Sequence, residues 1–105
     1  MSNNDFVLLT GSANLKLAKD IGSHLKKQVH ETVSEFADGE KRIIIPENLR
    51  RRDVFIIQPT CPPVNDNIME LLLIIDAAKR SSASEITLIF GFWETVFLRG
   101  MVSVI

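Results

Sequence analysis

Hydrophobic positions along this chain switch between continuous runs and a helical period. Phe6-Val7-Leu8-Leu9 is an unbroken apolar run closed by Thr10-Gly11-Ser12, the pattern of a buried strand ending in a turn. From Asn14 the period changes. Leu17, Ala18, Ile21 and Leu25 fall on one helical stripe, while Lys16, Lys19, Asp20, Ser23 and Lys26 take the other face. Asn14 suits the helix N-cap, and Lys26 and Lys27 suit its negative end. Residues 32–36 and 42–45 then read as two strands joined across Ala37-Asp38-Gly39-Glu40, where Asp-Gly is a hairpin signal. Pro46 ends the second strand, and a basic turn at 48–52 leads into Asp53-Val54-Phe55-Ile56-Ile57-Gln58. Four consecutive large apolar residues are expected of a strand covered on both faces.

Pro59, Pro62 and Pro63 force a loop before a helix over residues 65–80. Asn67 with Glu70 fits a capping box, and a start two residues earlier fits as well. The interior Met69-Glu70-Leu71-Leu72-Leu73-Ile74-Ile75-Asp76-Ala77-Ala78 is apolar nearly all round, so the helix calls for cover on more than one side. Ser81-Ser82-Ala83-Ser84 is a break, and Ile86 to Phe90 is one more strand. The order β-α-β-β-β-α-β with long crossovers predicts an α/β domain, a mainly parallel sheet flanked by helices. Residues 91–105 are apolar without a clear period and receive no assignment.

Composition narrows the class. The 105 residues, 46% hydrophobic and 24% charged, suit one small domain rather than a disordered or low-complexity chain. A net charge of −1 gives no overall drive toward nucleic acid or an anionic membrane. The single cysteine makes no internal disulfide, and Met1-Ser2-Asn3-Asn4-Asp5 lacks the basic start of a signal peptide. The apolar stretch from Ile68 to Ile75 includes Glu70 and is far short of the ~20 residues that span a bilayer. The expectation is a cytoplasmic domain with neither a nucleic-acid nor a membrane partner.

Candidate chemistry is sparse. The phosphate-loop, dinucleotide-binding, nucleophile-elbow and zinc-protease motifs are all missing. His24 and His30 read as surface histidines, since a metal site needs three or four convergent ligands. Cys61 has no basic neighbour in sequence to stabilise a thiolate. Gly11-Ser12-Ala13-Asn14, between a strand and a helix, could hold an anion on its free amides or be an ordinary capped turn. Lys41, Arg42 and Arg50-Arg51-Arg52 could form a phosphate site or a solvated corner. In Phe36-Ala37-Asp38-Gly39-Glu40, an aromatic ring beside two carboxylates on a tight turn can stack on a base and accept from its exocyclic amine. Those residues equally suit a plain hairpin whose phenylalanine is core.

Three stretches read together add a resemblance. Phe36-Ala37-Asp38-Gly39-Glu40, Arg52-Asp53-Val54-Phe55-Ile56-Ile57-Gln58 and Cys61-Pro62-Pro63-Val64-Asn65-Asp66-Asn67-Ile68-Met69-Glu70-Leu71-Leu72 occur in that order at close spacing. With Asp76-Ala77-Ala78-Lys79-Arg80-Ser81-Ser82-Ala83, they resemble the N-terminal domain of ribose-phosphate diphosphokinase, also called phosphoribosyl pyrophosphate synthetase. The resemblance implies a phosphoribosyltransferase-like fold over residues 1–89, with 90–105 as a divergent tail. It implies ATP and Mg²⁺ as cofactors and ribose 5-phosphate as the second substrate. It also implies assembly as a homo-oligomer or with a full-length synthetase subunit. Carried over by position, Phe36 would stack on adenine and Asp38, Gly39 and Glu40 would contact the base, typically in a neighbouring subunit's site. Asn48 and Arg50 would lie at a regulatory phosphate or ADP site, with Arg51 where the family often has glycine.

The tail departs from the family pattern. After a strand like that at 86–89, family members continue into an Arg-Gln-Asp-Arg-like segment and later metal and phosphate loops, whereas this chain reads Phe90-Gly91-Phe92-Trp93-Glu94-Thr95. The 105 residues therefore hold no catalytic and no metal-binding residue of the family pattern, which suggests a truncated or frame-changed copy, inactive alone. The alternative is a non-catalytic regulatory or assembly partner of a full-length synthetase.

Overall fold

In the computed structural model, residues 6–59, 63–92 and 99–104 are described, the last strand-forming stretches, 90–92 and 99–104, by their backbone only. The apolar runs become the centre of the domain. Strand β1 (Phe6–Thr10) pairs in parallel with β2 (Val29–Glu31) on one side. On the other side it pairs with β5 (Asp53–Ile57), which pairs in turn with β6 (Glu85–Phe92). A final strand, β7 (Arg99–Val104), runs antiparallel to β6, and the sheet order is β2-β1-β5-β6-β7. Between β2 and β5 the chain leaves the sheet as a separate antiparallel hairpin, β3 (Val33–Glu35) with β4 (Lys41–Ile43).

Register explains the unbroken apolar runs. Val7, Val54 and Ile86 form one row across three strands, and Leu9, Ile56 and Leu88 form another. Both rows sit in one core cluster with Leu71, Ile74 and Ala78 of helix α2 (Val64–Arg80) and the loop residue Leu49. The alternate positions Leu8 and Ile57 are just as buried but lie outside that cluster, on the opposite face. Helix α1 (Leu15–Leu25), which follows β1 and leads to β2, buries Ala18 and Gly22. Residues on both faces of the central strands are removed from water, as the run of four large apolar residues requires.

Several local expectations hold. Asn14 Oδ1 accepts from the Leu17 amide at 3.0 Å, a side-chain N-cap. The strand expected over residues 32–36 forms as β3 (Val33–Glu35), and the unexpected β2 is set off from it at Thr32, because this buried threonine gives both its amide and its hydroxyl to the Thr10 carbonyl (3.2 and 2.9 Å). Residues before it join the main sheet and residues after it enter the hairpin. Strand β2 escapes a hydrophobic scan because Val29-His30-Glu31 carries one aliphatic side chain.

Helix α2 corrects two further expectations. It starts at Val64 after Pro63, with no side-chain cap, and Asn67 and Glu70 are buried in its body rather than closing a capping box. Its buried stripe is Asn67, Glu70, Leu71, Ile74 and Ala78, while Ile68, Met69, Leu72 and Leu73 are 39–57% exposed. The described residues therefore cover one side of a helix whose sequence is apolar on two. Part of the unassigned tail forms β7. Among the described residues, no helix is long and apolar enough to cross a membrane.

Candidate functional site

The hairpin tip is built by short-range bonds. The Phe36 amide donates to the Glu40 carbonyl and the Gly39 amide to the Phe36 carbonyl, both at 2.8 Å. Asp38 Oδ1 accepts from the Glu40 amide at 3.0 Å. Gly39 has φ +87°, a left-handed conformation that costs a side chain energy and glycine little. The expected Asp-Gly turn thus forms with Phe36–Gly39 as its four corners, a β-turn followed by a left-handed glycine, rather than with Asp-Gly alone at its centre. Residues 35–42 are all exposed, and Phe36 is a surface ring at 41% exposure, not core. The Arg42 guanidinium sits 4.6 Å from the Phe36 ring centroid and 3.4 Å from Glu40 Oε1. An aromatic plane, two carboxylates and a cation thus share one projecting turn.

The basic turn lies elsewhere and is mostly self-bonded. Asn48 Oδ1 accepts from the Arg50 amide at 3.1 Å. Arg52 Nη1 reaches Glu47 Oε2 at 3.2 Å and the Asn48 carbonyl at 3.0 Å. Arg51 has φ +62°, and its amide donates to the Ser82 carbonyl at 2.9 Å. The glycine-like backbone of this turn is therefore kept with an arginine in it, at a strain of about 1 kcal/mol. Arg50 is exposed, whereas Lys41, Arg42 and Arg52 all have carboxylate partners, so the five basic residues do not form one free phosphate cradle.

The chemistry that sequence reasoning missed sits at the carboxyl ends of β1 and β5. These adjacent strands send their crossovers in opposite directions, the place where open α/β sheets form a crevice. Glu70, with its side chain only 8% exposed, fills that region. It accepts from the Ser12 amide (3.0 Å), the Ser12 hydroxyl (2.9 and 2.7 Å) and Gln58 Nε2 (3.0 Å), and Lys41 Nζ lies 3.6 Å away. Gln58, fully buried, also accepts from the Ala13 amide and donates to the Asn67 carbonyl, both at 3.2 Å. Gly11 is required beside it, since a methyl there would overlap the Gln58 carboxamide. Burial alone would raise the Glu70 pKa. The Ser12 hydroxyl and amide, the Gln58 amide and the Lys41 charge together outweigh it and hold the carboxyl below its usual value.

This settles the open question at residues 11–14. The amides of Ser12 and Ala13 are taken by Glu70 and Gln58, so the turn is closed internally and the anion it holds is the protein's own carboxylate. A signal was present: Glu70 falls on the buried α2 stripe, and a charge on an apolar stripe needs partners. His24 is exposed and His30 half-buried, and among the described residues no three His, Cys, Asp or Glu side chains converge on a metal position. Cys61 lies outside the described residues.

Comparison with known proteins gives a consistent set. A family model described as the N-terminal domain of ribose phosphate pyrophosphokinase matches residues 6–95. A ribose-phosphate pyrophosphokinase of Bordetella parapertussis is 48% identical over 82 residues, 77% of this chain and 26% of that one. Ribose-phosphate pyrophosphokinase B of Dictyostelium discoideum is 50% identical over 95 residues, 89% of this chain and 29% of its own length. Among solved structures, the phosphoribosylpyrophosphate synthetase from Mycobacterium smegmatis superposes with a TM-score of 0.76 at 37% identity, covering 85% of this chain and 30% of that one. A Staphylococcus aureus hypoxanthine phosphoribosyltransferase, at 13% identity and a TM-score of 0.56, shares the fold. The chain thus spans less than a third of the length of these pyrophosphokinases.

Proposed function

The chain belongs to the ribose-phosphate pyrophosphokinase family, as its N-terminal domain, and on that premise we propose that its exposed hairpin contacts the adenine of ATP. The reaction served is transfer of the β,γ-diphosphoryl group of ATP to the 1-hydroxyl of ribose 5-phosphate, which yields 5-phosphoribosyl 1-diphosphate and AMP. The observation that carries this reading is the solvent-facing Phe36 ring with Asp38 and Glu40 on the same turn. A ring 41% exposed leaves apolar area in water, and that placement is understandable where a base stacks on it. Asp38 spends Oδ1 on its own turn, and Glu40 has its side chain 56% exposed, so acceptors remain for an exocyclic amine.

In this reading the 105 residues do not carry out the transfer by themselves. Phosphoryl transfer needs Mg²⁺, Lys and Arg to neutralise phosphate charge. The described acidic side chains do not converge on a metal position, and Lys41, Arg42 and Arg52 are already paired with carboxylates. The hairpin then serves a phosphate site supplied by another subunit, in the cytoplasm. Asn48 and Arg50, joined in one turn, remain candidates for a regulatory phosphate contact. The exposed Met69, Leu72 and Leu73 of α2 favour a second reading, in which the chain is a non-catalytic partner that joins a full-length synthetase through that face.

Stacking contributes about 1–3 kcal/mol per base and each hydrogen bond about 1 kcal/mol, so the isolated hairpin should bind ATP in the millimolar range. The test is a titration of the chain with ATP and with ITP, which has a carbonyl in place of the 6-amino group, followed by amide NMR shifts. Shifts confined to residues 36–40, larger for ATP and abolished by Phe36→Ala, are expected. Equal response to both nucleotides, or a response elsewhere, would overturn the reading. Formation of AMP by the purified chain would overturn the assignment of catalysis to another subunit.

A further inference from the structure

We infer that Glu70 and Lys41 are positioning residues for the hairpin: their ion pair ties its tip to the carboxyl edge of the main sheet and sets where the adenine-contacting residues point. The inference rests on the nucleotide reading above for its functional meaning, and on geometry for its structural content.

The hairpin is attached to the domain at its far end. Thr32 is bonded to Thr10, the Ile44 amide donates to the Thr32 carbonyl at 2.7 Å, and Ile43 and Ile45 pack against the core. Toward the tip the strands hold each other through the pairs Ser34↔Arg42 and Glu35↔Lys41, and the turn bonds stay within residues 36–40. Two-stranded hairpins are marginal on their own, so nothing internal to the tip fixes its angle to the sheet. Among the described residues at 35–42, Lys41 is the one whose polar side chain reaches the body of the domain, with Nζ 3.6 Å from Glu70 Oε2. It is also the residue next to Glu40.

The other end of the tie cannot follow it. Glu70 is held by the Ser12 amide and hydroxyl and by Gln58, and Gln58 by Ala13 and the Asn67 carbonyl. The Glu70 carboxylate is therefore a fixed point at the crevice between β1 and β5, and Lys41, about half exposed, is the arm that reaches it from the hairpin. The anion that closes this sheet's crevice thus doubles as the anchor for a recognition loop that ends one residue before Lys41. Recognition suffers when such a loop is loose, because each ligand contact must then first order it.

The experiment uses the complete 105-residue chain and its Lys41→Met, Glu70→Gln, Lys41→Arg and double Lys41→Met/Glu70→Gln variants. Amide ¹⁵N relaxation of residues 36–40 reports order at the tip, and ATP and ITP are the binding probes. Wild-type order parameters should lie near the rigid-backbone value of about 0.85, falling toward about 0.6 in Lys41→Met and in Glu70→Gln. The double variant should be no looser than either single one, and Lys41→Arg should restore order. Ile56 and Ile57 amide shifts should stay constant, which separates the effect from general destabilisation. ATP affinity should drop three- to tenfold in the loosened variants, with part of the preference over ITP lost, an effect that plain stability would not produce. Unchanged tip order in Lys41→Met would overturn the inference, and that variant alters a half-exposed side chain, so its folding is secure. If wild type shows no ATP response, the nucleotide reading falls and the positioning role with it, while loss of tip order would still show the tie.

Discussion

Glu70 and Glu40 each face a basic side chain, yet they stand in opposite surroundings. The Glu70 side chain is 8% exposed and receives hydrogen bonds from two residues besides the nearby Lys41. The Glu40 side chain is 56% exposed and has Arg42 at 3.4 Å as its partner. At the sheet edge the acceptor capacity of the carboxylate is consumed, and the result is rigidity. At the hairpin tip that capacity is left open, and the result is a surface able to take a ligand. In a phosphoribosyltransferase-like sheet the crevice between β1 and β5 is where a ligand is first sought. Here a side chain occupies it, and the proposed recognition chemistry lies on the hairpin instead.

The difference is broken most severely by Glu70→Ala. Removing the carboxylate takes away the acceptor of the Ser12 amide and hydroxyl, which lie at the exposed side of the site, and one of the two acceptors of the buried Gln58 amide. Loss of a partly buried polar partner of this kind costs about 1–3 kcal/mol. Urea unfolding should show that loss, and a change below about 1 kcal/mol would mean that water replaces the carboxylate freely.

Acid probes the same site by one proton. The unfolded Glu70 carboxyl titrates near the ordinary 4.5, and the folded one lies lower. Between those values the unfolded chain binds a proton that the folded chain does not, so lowering the pH favours unfolding. The contribution of Glu70 is complete above about pH 4.5 and is lost as the pH falls through the folded value. The charged group facing it is Lys41 of β4, while Ser12 and Gln58 do not titrate in this range. In Glu70→Gln the stability of the chain should therefore decline less steeply below pH 4.5 than in wild type. Parallel curves would show that Glu70 is not depressed.

These two regions were not equally legible. The hairpin was readable because turn chemistry is local: Phe36, Asp38, Gly39 and Glu40 are consecutive and declare their geometry by residue type. The parallel sheet was readable because Val54 to Ile57 form an unbroken apolar run. The Glu70 network joins residues 12, 41, 58 and 70 across two loops, a strand and a helix, and spacing along the chain says nothing about that. Along the chain Glu70 fits a capping box instead, since Asn67 stands three residues before it. Only its place on the stripe with Leu71 and Ile74 pointed inward. Strand β2 and the bend at Thr32 were missed for a similar reason, because tertiary bonds to Thr10 override a weak local pattern.

Gly39→Ala tests the hairpin with a smaller effect. A methyl at Gly39 would meet no atom within 4 Å, so any cost comes from the φ of +87° alone. About 1 kcal/mol is expected, and it should appear as local loosening of residues 36–40 rather than loss of the sheet. Amide exchange at Phe36 and Gly39, whose N–H groups close the turn, should quicken while that of Ile56 stays slow. Equal acceleration at both places would mean that the hairpin and the sheet open as one unit.

Phe36→Ala should change stability least and recognition most. The ring is 41% exposed, lies beside the Arg42 guanidinium and stands outside the core cluster, so truncation opens no core cavity. A shift within about 0.5 kcal/mol is expected in urea unfolding, as for ordinary surface substitutions. The same change removes the only aromatic plane on the turn and should abolish the ATP-dependent shifts at residues 38–40. A residue kept for folding would show the opposite pair of effects: a clear loss of stability with nucleotide response intact at the remaining carboxylates. That outcome would return Phe36 to the role of packing residue and place the hairpin on the same footing as the sheet edge, with its side chains holding the fold and none of them reading a base.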